Sequence, residues 1–303
     1  MDENNKTGDQ EEKDFVSSAK FQKTVRRSRL KQFSLYIVVS IVSITLLIVL
    51  LSIGGQYLMD KKIEKAERKA IENHPIVSEE PVKGAGIVSI DTAYTTPNLF
   101  YVDSKSTYYK KVGDKKVVWD IVRKRYPAIG KVKTLGSKFV RTEEYLVNPR
   151  KERAIKYNHL NNERRIDFYY PELDYSFLSQ ELDNAVGLDE NTLIEVALSF
   201  KEPLHIDELG DTLGYQNVDW LWADQTSEER ITELKTSNYD NRILSGEQAY
   251  GFLVSERSPY TNSRAKDYLI SGAVVSGKPS ELKRFQDLDI IRASVIGVTV
   301  DEY

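Results

Sequence analysis

The pattern of apolar and polar residues begins with one long uncharged run near the amino terminus. No charged residue occurs between Gln32 and Met59, and most of the run is Ile, Val, Leu, Ser and Thr. About 20 apolar residues in a helix cross a hydrocarbon layer of ~30 Å, and lipid offers the backbone no hydrogen-bond partners outside the helix. Buried core helices and the apolar cores of cleaved signal peptides are normally shorter than this run. The pattern therefore predicts a transmembrane helix.

The charges that flank this run indicate its orientation. Six basic residues lie between Lys20 and Lys31 with no acid among them, whereas the five between Lys61 and Lys69 are interspersed with glutamates. Basic residues concentrate on the cytoplasmic side of a membrane span. We therefore expect a single-pass protein of the cell membrane with a cytoplasmic amino terminus and an extracytoplasmic carboxyl-terminal domain.

The apolar pattern then changes to alternating strands and short helices. A strand-rich, irregular region is predicted from five runs, at 87–90, 116–123, 139–147, 154–157 and 165–170.

Two strand–helix–strand patterns follow in the last third of the chain. Alternation at 194–200, a helical face at 206–213 and alternation at 218–222 form the first. Extended runs at 269–276 and 290–300, joined by a short helix, form the second, and the final strand is apolar on both faces, which predicts a central position. The predicted class is α+β: a single N-terminal transmembrane helix, then an extracytoplasmic mixed-sheet domain with two βαβ units in its C-terminal half.

These patterns divide the chain into five expected parts. They are a cytoplasmic basic tail (1–31), the transmembrane helix (32–55), a stalk helix and linker (56–86), the N-terminal part of the outer domain (87–186) and a C-terminal domain (187–303).

Composition excludes several kinds of chemistry. The chain has no cysteine and three histidines, so thiolate nucleophiles, disulfides and cysteine-based metal sites are ruled out. Its 43 basic residues are balanced by 46 acidic ones, whereas nucleic-acid binding needs a dense basic surface. The sequence has no Gly-x-Ser-x-Gly elbow, phosphate-binding glycine loop or His-Glu-x-x-His motif. The Ser-x-x-Lys pattern of Ser17 to Lys20 is a coincidence, because it lies in a short charged tail and not at the start of a buried helix. We therefore expect neither an enzyme nor a bound cofactor or metal, and no nucleic-acid partner.

Aromatic residues are the candidates for an outer ligand-binding face. Trp220 and Trp222 point to the same side of a predicted strand, and Tyr169 and Tyr170 end another. Such residues could stack on a ligand, or they could cover the sheet as part of the core. The sequence leaves both possibilities open.

Several segments resemble the sigma factor regulator family of Gram-positive bacteria. They are Leu193 to Phe200, Ile206 to Leu213, Trp220-Leu221-Trp222, Val275-Ser276-Gly277-Lys278 and the ending Ala293 to Tyr303, with Thr96-Pro97-Asn98 similar to the start of the family's N-terminal outer segment. The resemblance implies an N-terminal and a C-terminal regulator domain, in a membrane anti-sigma factor or accessory anti-sigma factor. The implied partner is an extracytoplasmic-function sigma factor, bound directly or through a second membrane regulator.

In this interpretation the cytoplasmic tail makes the contact with the sigma factor. The candidate contact residues are Phe15, Val16, Phe21, Arg26 and Arg27. A short basic tail can equally serve only to fix the topology. The alternative function is a membrane-anchored extracytoplasmic binding module with no sigma partner.

Overall fold

The computed structural model describes residues 19–72, 74, 78, 80–136, 142–148, 153–238, 242–254 and 265–302. The chain forms two compact units, Met1–Leu58 and Met59–Tyr303. The candidate contact residues Phe15 and Val16 lie outside the described residues.

One helix, α1 (Ala19–Glu72), contains the whole uncharged run. By length and composition it could cross a membrane, and the most apolar part of it has no buried residue. Large apolar side chains such as Leu47 and Leu51 are more than half exposed. This distribution differs from that of a soluble core helix, which buries its apolar face. It supports membrane anchoring of the chain.

The unit Met59–Tyr303 is built mainly of strands. Its strands are β1 (Val82–Lys83), β2 (Ile87–Tyr94), β3 (Tyr101–Val112), β4 (Lys115–Pro127), β5 (Lys133–Thr134), β6 (Thr142–Asn148), β7 (Arg153–Asn158), β8 (Asp167–Tyr169), β9 (Thr192–His205), β10 (Val218–Ala223), β11 (Ile243–Ser245), β12 (Tyr250–Leu253), β13 (Leu269–Gly277) and β14 (Ile291–Asp301). Its helices are α2 (Leu182–Val186), α3 (Ile206–Leu213), α4 (Glu228–Lys235) and α5 (Pro279–Leu282), with 3₁₀ turns at Ala265–Asp267 and Lys283–Phe285.

The central element is a six-stranded sheet in the order β1-β12-β10-β13-β9-β14. The two predicted βαβ units are present as β9-α3-β10 and β13-α5-β14, which confirms the α+β class. They differ from simple parallel units in one respect: β13 lies between β9 and β10, and β9 lies between β13 and β14. Each helix therefore crosses over one intervening strand, and every ladder in the sheet is antiparallel.

Both faces of this sheet are covered. Helices α2, α3 and α5 pack on one face through residues such as Leu182, Leu209 and Leu282. Helix α4 and the segment around β8 pack on the other. Successive side chains of a strand point to opposite faces, so the middle of β9 is buried on both sides.

The predicted central position of the last strand is wrong, because β14 ends the sheet order. Its outer edge is covered in another way. The amide of Ser294 donates to the carbonyl of Ser179 at 2.8 Å, and the amide of Ile296 donates to the carboxylate of Glu181 at 2.9 Å. Unpaired edge groups invite pairing with other chains, and these hydrogen bonds occupy two of the edge amides. Side chains on both faces of β14 are apolar because both faces of the sheet are covered.

A second sheet, in the order β2-β3-β4-β5, is a meander that packs beside the first. The sequence pattern predicted parts of β2 and β4 but not β3. The stalk part of α1 is attached to this meander: Met59 is fully buried, in one cluster with Val102 and Ala128. The ammonium of Lys62 donates to the carbonyls of Pro127, Ala128 and Gly130, at 2.5, 3.1 and 2.9 Å.

The linker also takes part in the fold. Strand β1, four residues before Ile87, pairs with β12 and extends the central sheet. The segment before residue 187 is equally integrated, since Leu182 and Ala185 of α2 lie in the core of that sheet. The expected parts 87–186 and 187–303 thus share one core.

The attachment of the stalk and the linker leads to a prediction about fragments. A fragment from Met59 to Tyr303 should unfold cooperatively, and one from Gly84 to Tyr303 should be less stable, because it lacks β1 and the buried Met59. Burying one Met side chain is worth about 1.5–3 kcal/mol, so we expect a difference of ~2–4 kcal/mol in denaturant unfolding. Equal unfolding free energies for the two fragments would contradict this role of residues 59–83.

Candidate functional site

The candidate site lies where the β3–β4 hairpin meets the central sheet. A two-residue turn, Gly113-Asp114, joins the two strands, and Gly113 has a φ of +61°. Glycine adopts this left-handed conformation without steric cost, as the tight hairpin requires. The amide of Gly113 donates to the hydroxyl of Ser276 on β13 at 2.7 Å. The turn is thereby attached to the central sheet.

A buried ion pair lies next to this turn. The ammonium of Lys110 on β3 is 2.8 and 3.0 Å from the two carboxylate oxygens of Glu195 on β9. The two side chains are 2% and 0% exposed. Lys110 also lies over the ring of Trp119, 4.1 Å from its centroid, and Glu195 accepts the amide of Val298 at 3.2 Å. Each charge therefore has partners that compensate for its removal from water.

Two residues beside the carboxylate of Glu195 are glycines, and the absence of their side chains leaves room for it. A Cβ on Gly86 would lie 2.7 Å from one oxygen of Glu195, and a Cβ on Gly297 would lie 2.4 Å from the other. Both distances are too short for real contacts. Gly86 belongs to the linker, and Gly297 lies in the irregular part of the β9–β14 ladder. The carboxylate is thus enclosed by the linker, the hairpin and the sheet together.

A second group of polar side chains, Ser276, Asp219 and Lys111, lies beside the turn. The hydroxyl of Ser276 donates to the carboxylate of Asp219, whose other oxygen is 3.7 Å from the ammonium of Lys111. Burial raises the pKa of Asp219 to about 7; the hydrogen bond from Ser276 and the charge of Lys111 oppose this rise, and the charge of Glu195 adds to it. Asp219 therefore titrates near neutral pH.

The cleft beside Asp219 has a volume of about 500 Å³. It is lined by charges of both signs and by residues of the four strands β3, β9, β10 and β13, with Lys111, Asp114, Tyr215, Lys278, Glu281 and Glu302 among its residues. Mixed charges of this kind suit a polar ligand that carries both signs, such as a peptide, better than an apolar molecule. In the described ranges, no group of three or more His, Asp or Glu side chains could hold a metal ion.

The four aromatic candidates for a ligand face are brought together but buried. Trp220, Trp222 and Tyr169 are 1% exposed and Tyr170 is 6% exposed. Phe168 of β8 lies over Trp222 with 5.1 Å between ring centroids. These four residues are thus part of the core and do not form an exposed platform, because β8 covers this face of the sheet.

The candidate contact residues Phe21, Arg26 and Arg27 lie on the first turns of α1. Both arginines are exposed, and Phe21 is half-buried. They are far along the chain from the cleft, and they form a separate candidate surface.

Sequence analysis missed Lys110, Glu195 and Asp219. One signal was available, since Glu195 is a single charge within the apolar run 193–200, in a strand that is buried on both faces. A charge at such a position is rarely tolerated without a partner. The partner, Lys110, lies on a strand that the pattern did not predict.

The chain matches one family model. Residues 186–269 match the family described as sigma factor regulator C-terminal. The matched segment runs from the end of α2 to the start of β13, and it includes Glu195 and Asp219. Families of this description are regulatory rather than catalytic. No curated protein and no solved structure matches the chain.

The buried ion pair leads to a double-mutant prediction. Lys110→Met leaves the carboxylate of Glu195 without its cation and should lower the free energy of unfolding by about 3–5 kcal/mol. The double variant Lys110→Met/Glu195→Gln should recover part of this loss, because no unpaired charge remains buried. Lys105→Met, an exposed change on the same strand, is the control and should stay within about 0.5 kcal/mol of the parent. If the separate effects of Lys110→Met and Glu195→Gln on the free energy of unfolding add up to the effect of the double variant, the coupling is contradicted.

The pKa of Asp219 leads to a pH prediction. Between about pH 4 and pH 7 the folded chain holds a proton that the unfolded chain releases, so this group's contribution to stability falls as the pH rises through that window. Asp219→Asn stays neutral throughout. The variant should therefore gain stability relative to the parent between pH 4 and pH 8, on the order of 4 kcal/mol. Asp114→Asn, at the exposed end of the same hairpin, is the matched control. A constant difference between Asp219→Asn and the parent across this range would count against the proposed titration.

Proposed function

We propose that this chain, whose residues 186–269 match the model described as sigma factor regulator C-terminal, is a single-pass membrane regulator of an extracytoplasmic-function sigma factor. It acts as an anti-sigma or accessory anti-sigma factor. Its amino terminus is cytoplasmic, and the unit Met59–Tyr303 is the outer sensory domain.

One observation carries this proposal: the same chain holds a domain of this family and an exposed apolar helix long enough to cross a membrane. A sigma factor is cytoplasmic, so a regulator with an outer domain needs such a helix to reach it. The short segment between helix and sheet suits the transfer of a signal. Gly84 and Ala85 donate backbone hydrogen bonds to Ala249 and Gly246, at 2.9 and 2.8 Å.

The cytoplasmic part of the chain favours an accessory role. The five candidate contact residues, Phe15, Val16, Phe21, Arg26 and Arg27, would bury only a small area on a partner. Interfaces that bury less than ~1,200 Å² belong to transient contacts. A second membrane regulator would add surface. Small residues of α1, Ser40 and Ser43 in the middle of the run and Gly54-Gly55 near its end, would permit close packing with another helix.

The alternative function is a membrane-anchored binding module without a sigma partner. The cleft beside Asp219 favours this candidate, because it has the size and mixed charge of a site for a polar ligand. The two functions are compatible with the same fold. They differ in whether the cytoplasmic end of α1 has a regulatory partner.

A transcription experiment separates the two functions. Deletion of the chain should raise transcription of one sigma-dependent regulon, and expression of the full chain should restore it. Arg26→Ala/Arg27→Ala should restore it only in part, because the cytoplasmic contact is weakened. Lys201→Ala/Lys283→Ala, which removes two exposed charges of the outer unit, is the matched control and should restore it fully. RNA levels across the genome provide the measurement.

If the deletion changes no sigma-dependent promoter while the purified chain retains a peptide or cell-wall ligand, the binding-module function replaces the regulator.

A further inference from the structure

Large apolar side chains are exposed at one end of the β2–β5 meander. They lie on the loop before β3 and on the loop after β4. We call them the apolar rim: Leu99, Phe100, Ile129 and Val132. Phe100 is 73% exposed and Ile129 is 85% exposed. The amide of Ala128 donates to the carbonyl of Phe100 at 2.7 Å, so the two loops are joined.

Hydrogen bonds fix the backbone on both sides of the rim. The ammonium of Lys62 binds the carbonyls before and after Ile129, those of Ala128 and Gly130. The side-chain oxygen of Asn98 accepts the amides of Phe100 and Tyr101, each at 2.8 Å. Phe100 and Ile129 are therefore exposed on loops whose backbone is held by hydrogen bonds.

The position of the rim along α1 indicates what it faces. The uncharged run ends at Met59, and Lys62 follows about 4.5 Å further along the helix axis. As a helix, the run from Gln32 to Met59 is about 42 Å long, close to the ~40–45 Å thickness of a bilayer with its headgroups. Lys62 thus follows directly after the run that could cross the membrane, and it holds the loop that carries Ile129.

We infer that the apolar rim contacts lipid, with Phe100 and Ile129 entering the headgroup region of the membrane that α1 crosses. The inference rests on the membrane anchoring in the proposed function. Aromatic side chains favour this region, and the exposed Lys131 and Lys133 beside the rim suit lipid phosphates. A cluster of exposed apolar side chains on a soluble surface marks an interaction site. Lipid contact gives the outer unit a second attachment to the membrane besides α1.

The absence of cysteine in the chain allows a direct test with single labels. The full-length variants Phe100→Cys and Ile129→Cys carry a fluorophore and are reconstituted into phosphatidylcholine vesicles that contain nitroxide-labelled lipids. Leu188→Cys is the matched control, because Leu188 is an exposed apolar residue next to α2, far along the chain from the rim. Val42→Cys, in the middle of the uncharged run, is the reference for a lipid-exposed position.

Nitroxide lipids should quench the labels at positions 100 and 129 several-fold more than the label at position 188. Quenching at 100 and 129 no greater than at 188, with strong quenching at 42, would overturn the inference and leave the membrane helix intact. Labels at 100 and 129 that are shielded from both lipid and water would assign the rim to a protein partner or a second copy, and would also overturn it. Absence of quenching at 42 would reject the membrane anchoring itself.

Discussion

The ion pair between Lys110 and Glu195 is the constraint on which the arrangement of the unit Met59–Tyr303 depends. Two charges that have left water are tolerated only when each has partners, because an unpaired buried charge costs several kcal/mol. The partners of Glu195 come from different parts of the chain: Lys110 lies on the hairpin, and the amide of Val298 belongs to the last strand. Gly86 of the linker has no side chain and so leaves room for the carboxylate. Hairpin, linker and sheet must therefore be in place together.

This constraint also involves the linker that precedes the segment matched by the regulator family model. The linker pairs with β12 through β1, and Gly86, its last residue, lies against the carboxylate of Glu195. A displacement of the hairpin would disturb the ion pair and the packing of Gly86 against Glu195. The stalk is attached to the same meander through Met59 and Lys62. Both the stalk and the linker are thus held by the unit Met59–Tyr303.

The apolar pattern was sufficient to predict the strands and helices whose buried positions are mainly apolar. Alternation along β9 and the helical spacing of Ile206, Leu209 and Leu213 predicted a βαβ unit that the structure confirms. The pattern failed for β3, because its buried positions include Ser104 and Lys110, which periodicity counts as polar. It also predicted that Trp220 and Trp222 share one side, but it could not reveal that β8 covers them from more than 50 residues away. Partners that are distant in sequence leave no local signal.

Hydrogen exchange on the full-length chain tests most directly whether the ion pair holds the linker, the hairpin and the sheet together. The variant Glu195→Gln removes the charge that pairs with Lys110 and keeps the volume of the side chain. Our account predicts faster exchange at Ala85 and Gly113, whose amides donate to different partners, with no change in helix α3. Faster exchange confined to Val298, with Ala85 and Gly113 unchanged, would contradict it.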